Sequence, residues 1–426
     1  MTSPPVRGPA SDPAETLARP TRRWTVLAGV LVSTTVGQMA WASVFPLLNP
    51  WIADLGMSRA DGGLLFGLYY LPGLVVAIPG GRWLDRIPVR RAFLAIWLLI
   101  CLGVALMAAA PTFAMLCLGR LVFGAGMNMH HIAAPKLLAT WFAGRRELGL
   151  VMSVFTLTYT AGVFASLSLL GTLAERQGWR TGMSVVAVLC LAVLAAVTAF
   201  AKAAPRSAAG SPSAAPAGRL GLPVWLVAFL WFFYNAGTDA YFTFTPDYLI
   251  VQGYAIGQAS QIVGLYAWPS LGLKPVFGYF LTPARAYVYL MIGCILPMAA
   301  YAFLLAQPPR PYAATFMIGV SLALTMPALV ALPTFLVGAE AAGRAYGLCQ
   351  LFYCLTFFTQ PLVGHLIDRT GGHAAGYALM GGYCAVGLLI AARLWSHGKD
   401  AGALPPTGLL ATDEDVVVDV RGRSRP

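Results

Sequence analysis

Ala77-Ile-Pro-Gly-Gly81-Arg-Trp-Leu-Asp85 closes one apolar run of this chain, and Lys274-Pro-Val-Phe-Gly278-Tyr-Phe-Leu-Thr282 closes another. A single offset of 197 residues lays Ala77 on Lys274, Gly81 on Gly278 and Asp85 on Thr282. A second echo pairs Thr140-Trp-Phe with Thr334-Phe-Leu. A chain that echoes itself at half its length reads as two copies of one unit. The runs around the echoes say what that unit is: each has the roughly 20 mostly apolar residues that cross a bilayer as a helix.

Working outward, such runs fall at roughly 24–47, 62–80, 92–110, 112–138, 148–172, 180–201, 222–246, 257–281, 286–306, 312–337, 345–367 and 374–395. The expected fold is therefore all-α and integral to the membrane, with twelve transmembrane helices in two pseudo-symmetric six-helix bundles. The first bundle spans 24–201 and the second 222–395. A tail over 1–23 precedes them. An Ala/Pro/Ser-rich linker over 202–221 joins them, and a polar, disordered tail over 396–426 follows. The N-terminal tail lacks the short apolar core and small-residue cleavage site of a signal peptide, so the first span is expected to be retained.

Composition agrees. The 426 residues are 58% hydrophobic and 10% charged, with a mean hydropathy of +0.71. Soluble domains carry about 25% charged residues, so a soluble enzyme is excluded. Disorder over most of the length is excluded too. The net charge of +12 has a topological origin. With both termini in the cytoplasm, the tails and alternate loops on that side hold 20 of the 28 Lys and Arg, and the opposite loops hold only 5. That is the positive-inside bias, and it leaves no case for nucleic acid as a partner. The 7 Cys all lie in apolar runs without metal-ligand spacing, so no disulfide framework, metal or cofactor is expected.

Duplicated six-helix halves are what a rocking transporter requires, with its substrate held near the midplane between them. Over the whole span region the sequence resembles the major facilitator superfamily. The strongest match is Gly81-x-x-x-Asp85-Arg86-x-x-x-Arg90-Arg91, between the second and third spans. It is similar to that family's loop signature, with Pro88 in place of a usual glycine and one extra residue before the basic pair. The resemblance implies that Gly81, Asp85, Arg86, Arg90 and Arg91 form a conformational latch, with Asp85 facing the positive end of a helix from the other half. Thr282 leaves the corresponding loop of the second half without its acid. Gly119-Arg120-x-x-x-Gly124-x-Gly126 is similar to a fourth-span motif whose arginine is implicated in proton coupling. Thr160-Ala-Gly162 lacks the proline of the antiporter signature, which speaks against a multidrug antiporter.

Charges inside a membrane span are costly and mark functional positions. At 100° per residue, Arg120, Gly124, Met127 and His131 share one stripe, while His130 points elsewhere as a packing residue. Thr34, Gln38, Trp41 and Phe45 share another. In the seventh span Tyr234, Thr238, Tyr241 and Thr245 form one face, with Asn235 and Asp239 on the next. The resemblance implies that the first, fourth and seventh helices line the cavity. Each of these side chains also has a structural reading, as glue between helices. Lys274-Pro275-x-x-Gly278 resembles a pattern of monocarboxylate transporters, whose eighth-span cation attracts an anion. The residue could instead snorkel to the headgroups. Nine prolines, Pro72, Pro79, Pro135, Pro246, Pro269, Pro275, Pro327, Pro333 and Pro361, are expected to kink helices around the cavity.

The expectation is a non-enzymatic, monomeric secondary transporter of the inner (plasma) membrane. It would carry a small, monocarboxylate-like organic anion by alternating access, with proton coupling or exchange. Lys274, Arg120, His131, Asp239, Gln38, Trp41, Tyr234, Asn235 and Tyr241 are the expected substrate contacts, and Asp239, Arg120 and His131 the proton-coupling groups. A neutral or zwitterionic solute such as an amino acid, small peptide or drug is the alternative. A membrane sensor or lipid enzyme is the reading from another class, and no nucleophile–base constellation, phosphate loop or soluble domain supports it.

Overall fold

The computed structural model describes residues 20–75, 87–142, 147–200 and 220–400. Fourteen α-helices are named here: α1 (Pro20–Trp41), α2 (Val44–Leu55), α3 (Arg59–Gly67), α4 (Val89–Ala108), α5 (Phe113–Trp141), α6 (Leu148–Gln177) and α7 (Trp179–Phe200) in the first half. The second half holds α8 (Leu222–Val251), α9 (Ile256–Gly264), α10 (Ala267–Tyr279), α11 (Pro283–Leu305), α12 (Pro311–Cys354), α13 (Thr359–Thr370) and α14 (Ala374–Asp400). Together they make twelve crossings in two bundles. The chain enters and leaves on one face, called the tail face, opposite the far face. α14 runs past the expected end of its span to Asp400. Most of the linker and of both tails lies outside the described residues.

Among the described residues, seven helical stretches are long and apolar enough to cross a membrane by length and composition alone. They supply the first, third, fifth, sixth, ninth, tenth and twelfth crossings. The fourth and seventh are continuous helices diluted by buried polar groups such as Arg120, Asn128, Asn235 and Asp239. The second, eighth and eleventh are broken. Broken helices survive at membrane depth where they are buried in protein or line a cavity, so these five mark the working part of the molecule.

Proline placement explains the breaks. Pro46, Pro269 and Pro361 each stand third in a helix that restarts after a break, and Pro72 stands second in the short helix over 71–75. A proline needs no backbone partner in a first turn, while its ring evicts the carbonyl four residues back from helical bonding. By contrast, Pro135, Pro246, Pro275, Pro327 and Pro333 lie in helix interiors. Pro79 is outside the described residues. α12 doubles back within its length, because the Tyr346 hydroxyl donates to the Val330 carbonyl sixteen residues earlier. In a straight helix these residues would be about 24 Å apart.

The internal repeat reappears in the turns. Among the described residues four glycines adopt positive φ: Gly56 (62°), Gly178 (84°), Gly253 (94°) and Gly371 (67°). The 197-residue offset lays Gly56 on Gly253, and an offset of 193 lays Gly178 on Gly371. Each equivalent far-face turn thus demands the same residue for the same steric reason.

Packing is uneven along the membrane normal. One continuous apolar cluster passes from the first half into the far part of the second, through Tyr248, Leu249, Ile262, Val263, Val363 and Ile367. The tail-ward part of the second half, including Val227, Leu230, Leu290, Leu332 and Leu394, forms a separate cluster. Among the described residues the halves therefore share a core toward the far face and not toward the tail face.

Candidate functional site

Two seams close the far face. α3 lies on α13, where Gly63 abuts the Gln360 backbone, Gly67 the Phe357 carbonyl and Gly364 the Arg59 carbonyl. α9 lies on α6 through Gly171, Gly257 and Gly264, which meet Ser260, Thr172 and Leu167. Above them Asp247, at the far end of α8 with its side chain fully buried, gathers partners from three elements. Arg59 Nε donates to it at 2.6 Å, Asn49 Nδ2 donates at 2.8 Å, and His373 Nε2 lies 2.8 Å from it. Sequence reading missed Asp247 because it ended the seventh span at residue 246, whereas α8 continues to Val251.

At mid-depth a polar belt crosses the interior. Lys274 does not snorkel. Its Nζ donates to Thr160 Oγ1 on α6 at 2.8 Å, across the boundary between the halves. Next to Thr160, the ring of Tyr159 packs on His131, with centroids 5.5 Å apart. His131 Nε2 lies 2.8 Å from Gln38 Nε2, and its Nδ1 lies 3.3 Å from the Tyr69 hydroxyl. The rings of Tyr69 and Tyr70 are edge-on at 4.9 Å. The Tyr70 hydroxyl donates to Asp239 Oδ2 at 2.9 Å and lies 3.0 Å from the Tyr353 hydroxyl. Asp239 sits 12 residues before the end of α8, about 18 Å below the far face.

Local sequence positions these groups. Gly162 lets α6 approach α1 at Gln38. Gly124 brings α5 against the Tyr69 backbone, where Asn128 Nδ2 donates to the Tyr69 carbonyl at 3.0 Å. Gly119 and Gly126 of the same motif serve packing on α4. His130, by contrast, faces Phe93 and Trp97 and contacts Thr34, as a packing residue.

The structure brings together Lys274, His131, Gln38 and Asp239, and it sets others apart. Arg120 is fully buried. Nη2 donates to the Trp41 carbonyl at 2.9 Å, and the guanidinium lies 5.5–5.9 Å from the rings of Phe66, Tyr69 and Phe123. It touches the belt through the Tyr69 ring, and Trp41 belongs to the same aromatic enclosure. Tyr234 turns into the second bundle, to Ser321 at 2.9 Å, and Tyr241 does the same, to Thr315 at 2.7 Å. Asn235 bonds the Trp231 carbonyl of its own helix at 2.7 Å. The face chosen in the seventh span is thus the bundle-facing one, and Asp239 stands apart from it. Gly81, Asp85 and Arg86 lie outside the described residues, while Arg90 and Arg91 are exposed at the start of α4. Tyr69, Tyr70, Tyr159, Thr160 and Tyr353 were missed. Their signal is polar tips within the second, fifth and eleventh spans.

Chemically the belt offers a cation, a carboxylate, an imidazole and four phenols between two bodies. Among the described residues no group of three metal-ligating side chains occurs.

Known proteins share this architecture. A bacterial homologue of the human lysosomal transporter Spinster, solved in an inward-facing and occupied conformation, superposes with a TM-score of 0.72 at 15% identity over 92% of this chain and 100% of its own. The bovine lysosomal dipeptide transporter MFSD1 is 23% identical over 346 residues, covering 75% of this chain and 74% of its own length. The probable sulfoacetate transporter SauU of Cupriavidus necator is 22% identical over 377 residues, covering 79% and 85%. The Major Facilitator Superfamily profile matches residues 30–359, and the chain belongs to that family of secondary transporters.

Proposed function

We propose that this transporter carries a small organic anion, a monocarboxylate or a comparable acid, across the plasma membrane by alternating access. Transport is coupled to a proton or to exchange, and the protein acts as a monomer. The carrying observation is Lys274. It points between the halves, and its partner there is a neutral hydroxyl. Among the described residues no carboxylate lies within ion-pair distance of it. A half-buried cation inside a span without an anion is costly, and an anionic substrate supplies what is missing. Asp239, held by a phenol of the other half, is the proton-accepting group, and His131 supports it. The sulfoacetate carrier among the relatives handles a cargo of this kind. The Lys and Arg distribution supports cytoplasmic termini, which makes the tail face cytoplasmic.

One observation favours a second reading. Lys274 and Asp239 offer opposite charges on one belt, which suits a zwitterion such as a dipeptide, the named cargo of the MFSD1 relatives. The discriminating experiment is a thermal-shift screen of purified protein against small carboxylates, amino acids and dipeptides at acid and neutral pH. Stabilisation follows mass action. Shifts with plain carboxylates that vanish in Lys274→Gln support the anion. Shifts confined to amino-bearing acids and lost in Asp239→Asn support the zwitterion. Shifts unchanged in Lys274→Gln overturn both.

A further inference from the structure

We propose that Glu175 and Asp368 are a matched pair of gating residues, one lock used twice, and that the far face opens only when both let go. Both carboxylates stand in the last turn of their own helices, α6 and α13, where the negative end of the helix dipole disfavours an acid. Each is turned instead toward the other half. Asp368 accepts from the Arg59 N–H at 3.3 Å and the Ala60 N–H at 2.9 Å, in the first turn of α3. Glu175 accepts from the Gly257 N–H at 2.7 Å, in the first turn of α9.

First-turn N–H groups have no partner within their own helix. At α9 the preceding residue is Ala255, which has no capping side chain, so the cap comes from Glu175 across the seam. At α3 Ser58 caps the Asp61 N–H, which leaves the first two N–H groups to Asp368. In both cases a favourable interaction at one helix and relief of an unfavourable one at another depend on the halves being closed.

The two contacts are equivalent in the repeat. The 197-residue offset that lays Gly56 on Gly253 also lays Ala60 on Gly257, each the second residue of a nine-residue helix. The 193-residue offset that lays Gly178 on Gly371 also lays Glu175 on Asp368, each three residues before its left-handed glycine. Close packing at glycine stands behind each contact: Gly63 and Gly67 lie against the backbone of Gln360 and Phe357 on one side, and Gly171 and Gly264 against the side chains of Ser260 and Leu167 on the other. Asp247 with Arg59 and His373 adds to only one of the seams. Each half moves as a body, so a seam cannot part alone. This rests on alternating access but not on the identity of the cargo.

Amide hydrogen exchange on the full chain in lipid nanodiscs, without substrate, tests the idea. Glu175→Ala should raise exchange several-fold in the first turn of α9, and also across the molecule in the first turn of α3. Asp368→Ala should do the reverse. Both acids are exposed, and the second variant reads the same coupling should the first fail to fold. Exchange that rises only at the substituted seam shows two independent caps and overturns the proposal, as does no rise at either. Failure of the anion reading would show in the ligand screen and leave this outcome unchanged.

Discussion

Tyr70 and Asp239 are held 2.9 Å apart, hydroxyl to carboxylate, although one belongs to the first bundle and the other to the second. A hydrogen bond to a charged group contributes about 1.5–3 kcal/mol, against about 1 for a neutral pair. The strength of this bridge therefore depends on whether Asp239 carries its charge, which links a proton to the grip between the halves.

Tyr70→Phe removes that link without removing the ring. Substrate exchange across proteoliposomes should persist, while accumulation driven by a pH gradient should fall by about 10-fold or more, given the bond's ~1.5–3 kcal/mol. Accumulation at the wild-type level in Tyr70→Phe would separate the bridge from coupling.

Thr160 and an anionic cargo compete for the same ammonium. Lys274→Gln should weaken carboxylate binding by about 10-fold or more, since a charge-assisted bond is lost. Thr160→Val should act oppositely and tighten it by a few-fold, because the cation is freed. Titration calorimetry on the two variants reads both signs, and parallel weakening would show that the hydroxyl is itself a ligand.

Asp247 ties the far face together through Arg59, Asn49 and His373. Spin labels at Gln177→Cys and Gln252→Cys, one on each half, read the separation across that face. Adding Asp247→Asn should lengthen it, because a buried charge-assisted pair with Arg59 is lost. An unchanged separation would show that the glycine contacts alone hold the face closed.

Gly63 and Gly364 touch backbone on the opposite half, so a side chain there has nowhere to go. Gly63→Leu should wedge the seam, lengthen the same spin-label distance and cut turnover at least tenfold. Overpacking typically costs about 1–3 kcal/mol, so the melting temperature should drop only modestly. Collapse of folding in place of a shifted distance would mean that the seam is structural.

The crossings were legible because hydropathy and the Lys/Arg alternation are local signals that each helix carries for itself. What a helix faces is a relation between helices. Periodicity placed Tyr234 and Tyr241 on one face and Asp239 on the next, but it could not say which face looks inward. Lys274 was ambiguous for the same reason, since only Thr160 on α6 decides where its ammonium rests. Tyr69, Tyr70, Tyr159 and Tyr353 escaped notice because a phenol counts as apolar in bulk while its hydroxyl acts as a polar tip. Asp247 was lost to a boundary drawn a few residues short.

The α3–α13 seam is made where main chain meets main chain at glycine, whereas the belt below is made of side-chain tips. At these two levels recognition and closure draw on separate vocabularies of atoms. A redesign of cargo preference at His131, whose polar contacts stay within the first half, can proceed without retuning that seam, and a tighter or looser seam can be had without teaching the protein a new passenger.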